Sequence, residues 1–212
     1  QQCGRRLSLR TTLQLVDQLL DCVGALHEHH LAHGDIKPAN FCMDARGNGK
    51  VYVIDFGLSK WYEHPQTRQH IAYREGCAFS GNPRYASIAN HAGLETARRD
   101  DYESLGYMLV YFTLGKLPWQ GLKAKTAQLR QQIILEKKLA TPLEQLCAGC
   151  PGAFRDYIQY CRQLQFDEPP DVPFMKGIFR SLYHSLGYAQ LNVEWDWDRF
   201  GRAAATAGGA GA

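Results

Sequence analysis

The chain has 212 residues, 45% of them hydrophobic, and a formal net charge of +3. This is enough apolar material for one core, or for one large lobe of a bigger domain. The charge is too mild to argue by itself for a nucleic-acid or membrane partner, no apolar run is long enough to span a bilayer, and no signal peptide opens the chain. Seven cysteines, odd in number and without disulfide-like spacing, point to a reducing compartment, cytoplasmic or nuclear. The first residue is Gln1 and a helical pattern follows almost at once, so the expectation is a fragment.

Residues 11–31 place Leu13, Val16, Leu19, Leu20, Val23 and Leu26 at spacings of three and four. That predicts an amphipathic helix with Thr11 or Thr12 as its N-cap, ending near His30. Gly24 inside it points to close packing against another element. A loop stiffened by Pro38 comes next. Residues 41–43 and 50–54 read as two short strands joined by Arg46-Gly47-Asn48-Gly49, which is turn chemistry. Residues 58–90, with Gly and Pro among polar residues, read as a long functional loop. Residues 101–114, DYESLGYMLVYFTL, are apolar nearly all round after the first turn, which predicts a central, buried helix. Further helices are expected at 126–138, 153–165 and 173–186, separated by Pro142, Pro151 and Pro169-Pro170. The last twelve residues, GRAAATAGGAGA, are low in complexity and expected to be disordered. The expected organisation is one mostly helical unit over 1–200, followed by the tail 201–212.

The stretch 33–57, HGDIKPANFCMDARGNGKVYVIDFG, carries the chemistry. Asp35 is followed two residues on by Lys37 and five on by Asn40, and the hairpin then delivers Asp55-Phe56-Gly57. A carboxylate on a stiff loop can accept a hydroxyl's hydrogen bond and, late in a transfer, its proton. Lys37, in extended backbone, points to the same side and can neutralise a phosphate. The hairpin brings Asn40 and Asp55 towards one point, as two ligands of one metal must be, and hard oxygen donors suit Mg²⁺ better than Zn²⁺. Together these parts suit phosphoryl transfer. An isolated Asp-x-Lys is commonly a surface ion pair, and Asp-Phe-Gly alone is a weak signal. Order and spacing carry the inference: His33-x-Asp35-x-Lys37-x-x-Asn40, strand, turn, strand, Asp55-Phe56-Gly57.

These motifs resemble the C-terminal lobe of a eukaryotic protein kinase and, within that superfamily, the casein kinase 1 family. The likeness is carried by YREGCAFSGNPRYASIANHAG (73–93), ETARRDDYESLGYMLVYFTLGKLPWQGLKA (95–124), EKKLATPLEQLC (136–147) and YCRQLQFDEPPD (160–171), and runs from about residue 5 to 198. The resemblance implies a mainly α-helical protein kinase-like lobe with a small β-hairpin, the N-lobe being absent from this chain. It implies ATP and Mg²⁺ as cofactors, Asp35 as catalytic base, Lys37 as the phosphate-neutralising lysine, and Asn40 and Asp55 as metal ligands. Cys42 would lie under the adenine ring, where a buried cysteine acts as a small hydrophobe. Asp101 would brace the catalytic loop, or simply favour the helix dipole. The family's substrates are proteins with acidic or already phosphorylated residues before the target Ser or Thr. The resemblance places an anion pocket for them at Arg84, the Gly121 backbone and Arg130, although Arg130 also suits a solvated helix face. A monomer is expected, with no nucleic-acid or membrane partner.

The chain departs from the family at several points. Gly34 stands where an arginine usually pairs with an anion on the activation loop, although the vaccinia-related kinases resemble this chain in having His-Gly-Asp. Cys77 replaces a basic residue, leaving Lys60 as the remainder of a second anion site that should be weak or absent. Asn82 replaces a threonine that helps hold the catalytic Asp and Lys together, and Ala89 replaces an Asn, with Asn90 adjacent. There is no Gly-rich loop, strand lysine or partner glutamate helix, so the chain by itself should have little or no activity. A non-catalytic, kinase-like protein that binds partners through this lobe is the alternative. Cys147-x-x-Cys150 lacks a second ligand pair and reads as a structural loop rather than a redox or zinc site.

Overall fold

The computed structural model describes residues 6–44, 49–190 and 195–198. The proposed hairpin turn at 46–48 and the tail 201–212 lie outside the described residues. The elements in order are α1 (Leu9–Glu28), β1 (Leu31–Ala32), β2 (Phe41–Met43), β3 (Val51–Val53), β4 (Lys60–Trp61), α2 (Ile88–His91), α3 (Arg98–Leu114), α4 (Ala127–Leu139), α5 (Leu143–Leu146), α6 (Gly152–Gln163) and α7 (Val172–Ser185), with 3₁₀ turns at Pro38–Asn40 and Tyr188–Gln190. The mainly helical lobe with a small hairpin expected from the sequence is the fold observed. No described helix is long and apolar enough to cross a membrane.

α3 is the axis. Every residue from 100 to 110 is buried, because α1 and α6 pack against it from different sides. Gly106 permits the α6 crossing: a Cβ there would stand 2.7 Å from Ile158 Cγ1 and 3.1 Å from Tyr157 Cε1. Tyr157 Oη donates to the Tyr102 carbonyl at 2.9 Å across the same contact. Gly24, expected to mark the tight contact, is looser, with an added Cβ no nearer than 3.4 Å to Tyr102 Oη. α7 closes the other side of α1, and Phe179 meets Phe154 and Tyr157 edge-on or tilted at 5.4 and 5.3 Å. These aromatic contacts fill the space between α6 and α7.

α1 begins earlier than its apolar repeat. Ser8 is its N-cap, with Oγ accepting from Thr11 N at 3.1 Å. The expected caps Thr11 and Thr12 are instead fully buried within the first turn. Thr12 Oγ1 donates to the Ser8 carbonyl at 3.0 Å, so its hydroxyl is satisfied inside the helix. β2 and β3 pair antiparallel with Phe41 opposite Val53, Cys42 opposite Tyr52 and Met43 opposite Val51. Gln18 of α1 anchors this hairpin, accepting from Val51 N at 3.0 Å and donating to Gly49 O at 2.9 Å. The segment 58–90 is largely irregular, as expected, but it contains β4 and the start of α2. β4 pairs antiparallel with β1, a two-residue ladder too short to show in the sequence pattern.

Candidate active site

The β1–β4 ladder clamps both ends of the region between residues 32 and 60, and the loop 33–40 hangs from it. Asp101, in the first turn of α3 and 2% exposed, holds that loop from below. Its carboxylate accepts from His33 N at 2.7 Å, Gly34 N at 2.9 Å and His27 Nε2 at 2.9 Å. Burial alone would raise this carboxyl's pKa. The bonds from His27 and from the Gly34 and His33 backbone outweigh burial and leave it below the usual range. Gly34 sits at φ +76°, and a Cβ there would approach Leu58 O to 2.8 Å. The glycine read above as a lost arginine therefore also relieves a left-handed backbone position.

Above Asp101 lies Asp35, 8% exposed. Lys37 Nζ bonds its Oδ2 at 2.5 Å, and Asn82 N donates to its Oδ1 at 2.9 Å. Both oxygens are thus held, one by a charge and one by a rigid backbone. Asn40 Nδ2 donates to the Asp35 carbonyl at 2.9 Å and lies 3.4 Å from its Oδ2, so the Asn40 amide oxygen faces the other way. His33 Nδ1 accepts from Asp35 N at 3.2 Å, which leaves Nε2 protonated to donate to Ile54 O at 3.2 Å. That bond ties the loop 33–40 to the residue before Asp55. Ile54 N donates to Asn40 O at 2.9 Å, closing the circuit. Asp55 itself is exposed and at φ +65°, a conformation costly for a non-glycine residue and characteristic of functional positions. Asp35, Lys37 and Asn40 are therefore one hydrogen-bonded unit, to which Asp55 is joined through the backbone of Ile54.

A family model of the protein kinase domain matches residues 3–168. The chain belongs to the protein kinase family. In a protein kinase the catalytic-loop Asp and Asn and the Asp-Phe-Gly Asp form the lower part of the nucleotide site, and Asp35, Asn40 and Asp55 occupy those motif positions.

The kinase's second group of expected residues comes together on the other side of Asp35. Arg84, Gly121 and Arg130 line one cleft of about 250 Å³, together with Asn82, Trp119 and Ile134. Both arginines are exposed, and among the described residues neither has an acidic partner. The Arg84 guanidinium lies over the Tyr111 ring at 5.4 Å. Asn82 does not bridge Asp35 and Lys37 with its side chain, which bond each other directly. Its Oδ1 accepts from Arg84 N at 3.0 Å while its own N–H holds Asp35. One residue thereby spans the Asp35 carboxylate and the cleft. Gly81 makes this approach possible: at φ +83°, it would carry a Cβ only 2.7 Å from Gly34 O. The sequence pattern singled out neither Gly81 nor its partner contact. The Ser80-Gly81-Asn82-Pro83 turn composition was the available signal.

Where a second anion site was expected to be weak or absent, Lys60 is engaged rather than open. Glu95, 4% exposed, takes Lys60 Nζ on Oε1 and Arg74 Nη2 on Oε2 at 2.5 Å. Burial disfavours the Glu95 carboxylate, but those two bonds outweigh it and lower its pKa. Cys42 requires a correction. It is exposed, not buried, since its side of the hairpin, shared with Tyr52, has no covering layer among the described residues. Burial pushes the Cys147 thiol up to about 12 and Cys150 up to about 11, so both are held as protonated thiols at neutral pH.

Proposed function

We propose that the chain is the C-terminal lobe of a serine/threonine protein kinase of the casein kinase 1 type, acting on acidic or primed protein substrates. The observation that carries this reading is the paired restraint of Asp35 by Lys37 and by Asn82 N, with the cleft arginines, which have no acidic partner among the described residues, on the far side of Asn82. A substrate hydroxyl would lie against the Asp35 carboxylate, which orients it and accepts its proton as the phosphoryl group leaves ATP. Lys37, already beside that carboxylate, would shift its ammonium towards charge building on the transferred group. Arg84 and Arg130 would take the phosphate or carboxylate that precedes the target residue, for which guanidinium forks are well shaped.

The donor set fits Mg²⁺. Asn40 offers an amide oxygen turned away from Asp35, and Asp55 an exposed carboxylate on a backbone fixed by Asn40 and His33. When bound there, the metal would neutralise phosphate charge; holding it is the role we assign to Asn40 and Asp55. Cys42 would border the nucleotide base from the open side of the hairpin.

The test is phosphoryl transfer from Mg-ATP to primed and unprimed Ser/Thr peptides by the complete kinase polypeptide. Asp35→Asn should lower kcat by about 10²–10⁴-fold. An unchanged turnover would remove Asp35 from the role of base. Arg84→Ala should narrow the advantage of the primed peptide, and an unchanged ratio would remove the cleft from substrate recognition. A second reading, a kinase-like module that binds partners, draws on the exposed apolar side chains of Tyr52, Ile54, Phe56, Leu58 and Trp61. Catalysis by the complete polypeptide that Asp35→Asn abolishes would set that reading aside.

A further inference from the structure

Beneath the cleft lies a buried cation that phosphoryl transfer does not use. Lys138 is 0% exposed, near the end of α4. It continues one face of that helix: Arg130, Ile134 and Lys138 follow at four-residue intervals, the first two lining the cleft and the third one turn below it. Its ammonium donates to the Ala86 carbonyl, in the segment that begins with Arg84. It also lies over the rings of Trp119 and Tyr107, at 5.0 and 4.9 Å. Trp119 in turn donates from Nε1 to the Arg84 carbonyl at 2.7 Å and stands two residues before Gly121. Arg84, Gly121 and Arg130 therefore sit on three separate segments, and all three segments meet at one ammonium group.

We propose that Lys138 is the positioning residue of the anion cleft: it holds those three walls at a fixed separation, and so sets the preference for phosphorylated over unphosphorylated peptide. The inference rests on reading the cleft as an anion site. Three features support it. A buried lysine nitrogen, charged or neutral, keeps N–H donors that need a fixed acceptor, so it constrains its neighbours more tightly than an apolar side chain would. Other charged and titratable groups in the vicinity are committed elsewhere. Glu103 accepts from Tyr107 Oη at 2.5 Å and pairs with Arg162 at 3.5 Å, and His91 donates from Nε2 to the Pro83 carbonyl at 3.1 Å. Lys138 is also fully buried, and burial brings its pKa down to about 7.

The test measures dissociation constants of the chain for a phosphothreonine peptide and its unphosphorylated counterpart by titration calorimetry. Lys138→Met should reduce the ratio of the two constants by roughly tenfold, with the unphosphorylated peptide bound as before. Lys138→Gln keeps an N–H donor for the Ala86 carbonyl and should recover most of the ratio. A wild-type ratio of one would overturn the anion-site reading itself. A ratio lowered by Arg84→Ala but untouched by Lys138→Met would overturn the role of Lys138 alone. Should neither Lys138 variant fold, the wild-type protein still decides. The phosphopeptide should shift the side-chain NMR resonance of Lys138, and a resonance that stays fixed while those of Arg84 and Arg130 move would overturn the inference.

Discussion

The loop 33–40 and the arginine-lined cleft lie on either side of Asn82, and they are built on opposite plans. In the loop every charge has a partner: Asp101 has three donors, and Asp35 has Lys37 on one oxygen and Asn82 N on the other. In the cleft two guanidinium groups face one space without a carboxylate between them among the described residues. The first arrangement fixes geometry, and the second keeps binding capacity in reserve. Stability and recognition should therefore respond to different substitutions.

The largest effect is expected at Asp101. Asp101→Ala strips buried partners from His27, His33 N and Gly34 N at once, and should cost about 3–5 kcal/mol of unfolding free energy in urea denaturation. Gly81→Ala comes next, because the left-handed backbone and the contact with Gly34 O strain the link between the two regions. A loss of about 1–3 kcal/mol is expected by the same measurement, and an unchanged midpoint would mean the two segments are not in tight contact.

The pH response should separate the regions further. Asp101 has a folded pKa below its ordinary 3.8, so its contribution is full above that value and lost as the pH falls through the lowered one. Lys138 runs the other way. Its folded pKa is lowered to about 7 from 10.5, so between those values the unfolded chain binds more protons and stability rises with pH. Thermal melts between about pH 7 and 8.5, below the ordinary thiol pKa, should show that rise in the wild type and lose it in Lys138→Met. Arg130→Ala should have the smallest effect, within about 0.5 kcal/mol, since the side chain is exposed and has no acidic partner among the described residues. A larger cost would show that the cleft, like the loop, is part of the scaffold.

Much of the loop was legible because its members are close in sequence. Asp35, Lys37 and Asn40 fall within six residues, and a stiff, Pro-containing loop can present them to one side whatever lies around it. The helices were legible for a similar reason, since an apolar stripe records which face is buried. Their starts were less so. Ser8 caps α1 ahead of its apolar repeat, and α3 begins at Arg98, three residues before the expected 101, because its polar first turn carries Asp100 and Asp101 inward. Cys42 was misread because burial of one strand face depends on what covers it, which no local pattern states. Asp101 was given the right task only through resemblance, as its partners lie 67 and 68 residues away.

The sequence by itself determined the chemistry of this protein: a carboxylate, an amine, an amide and a second carboxylate at spacings that belong to a protein kinase. Local covalent geometry suffices for that, because neighbours on a short chain cannot be far apart. Only the tertiary structure decided which groups stand ready and which are already spoken for. Lys60 and Arg74 are drawn to a single glutamate, Lys138 is sunk beneath Trp119, and Arg84 and Arg130 are left open to one cleft. All are cations of similar intrinsic character. Their different fates follow from burial and from partners that the fold brings in from distant parts of the chain.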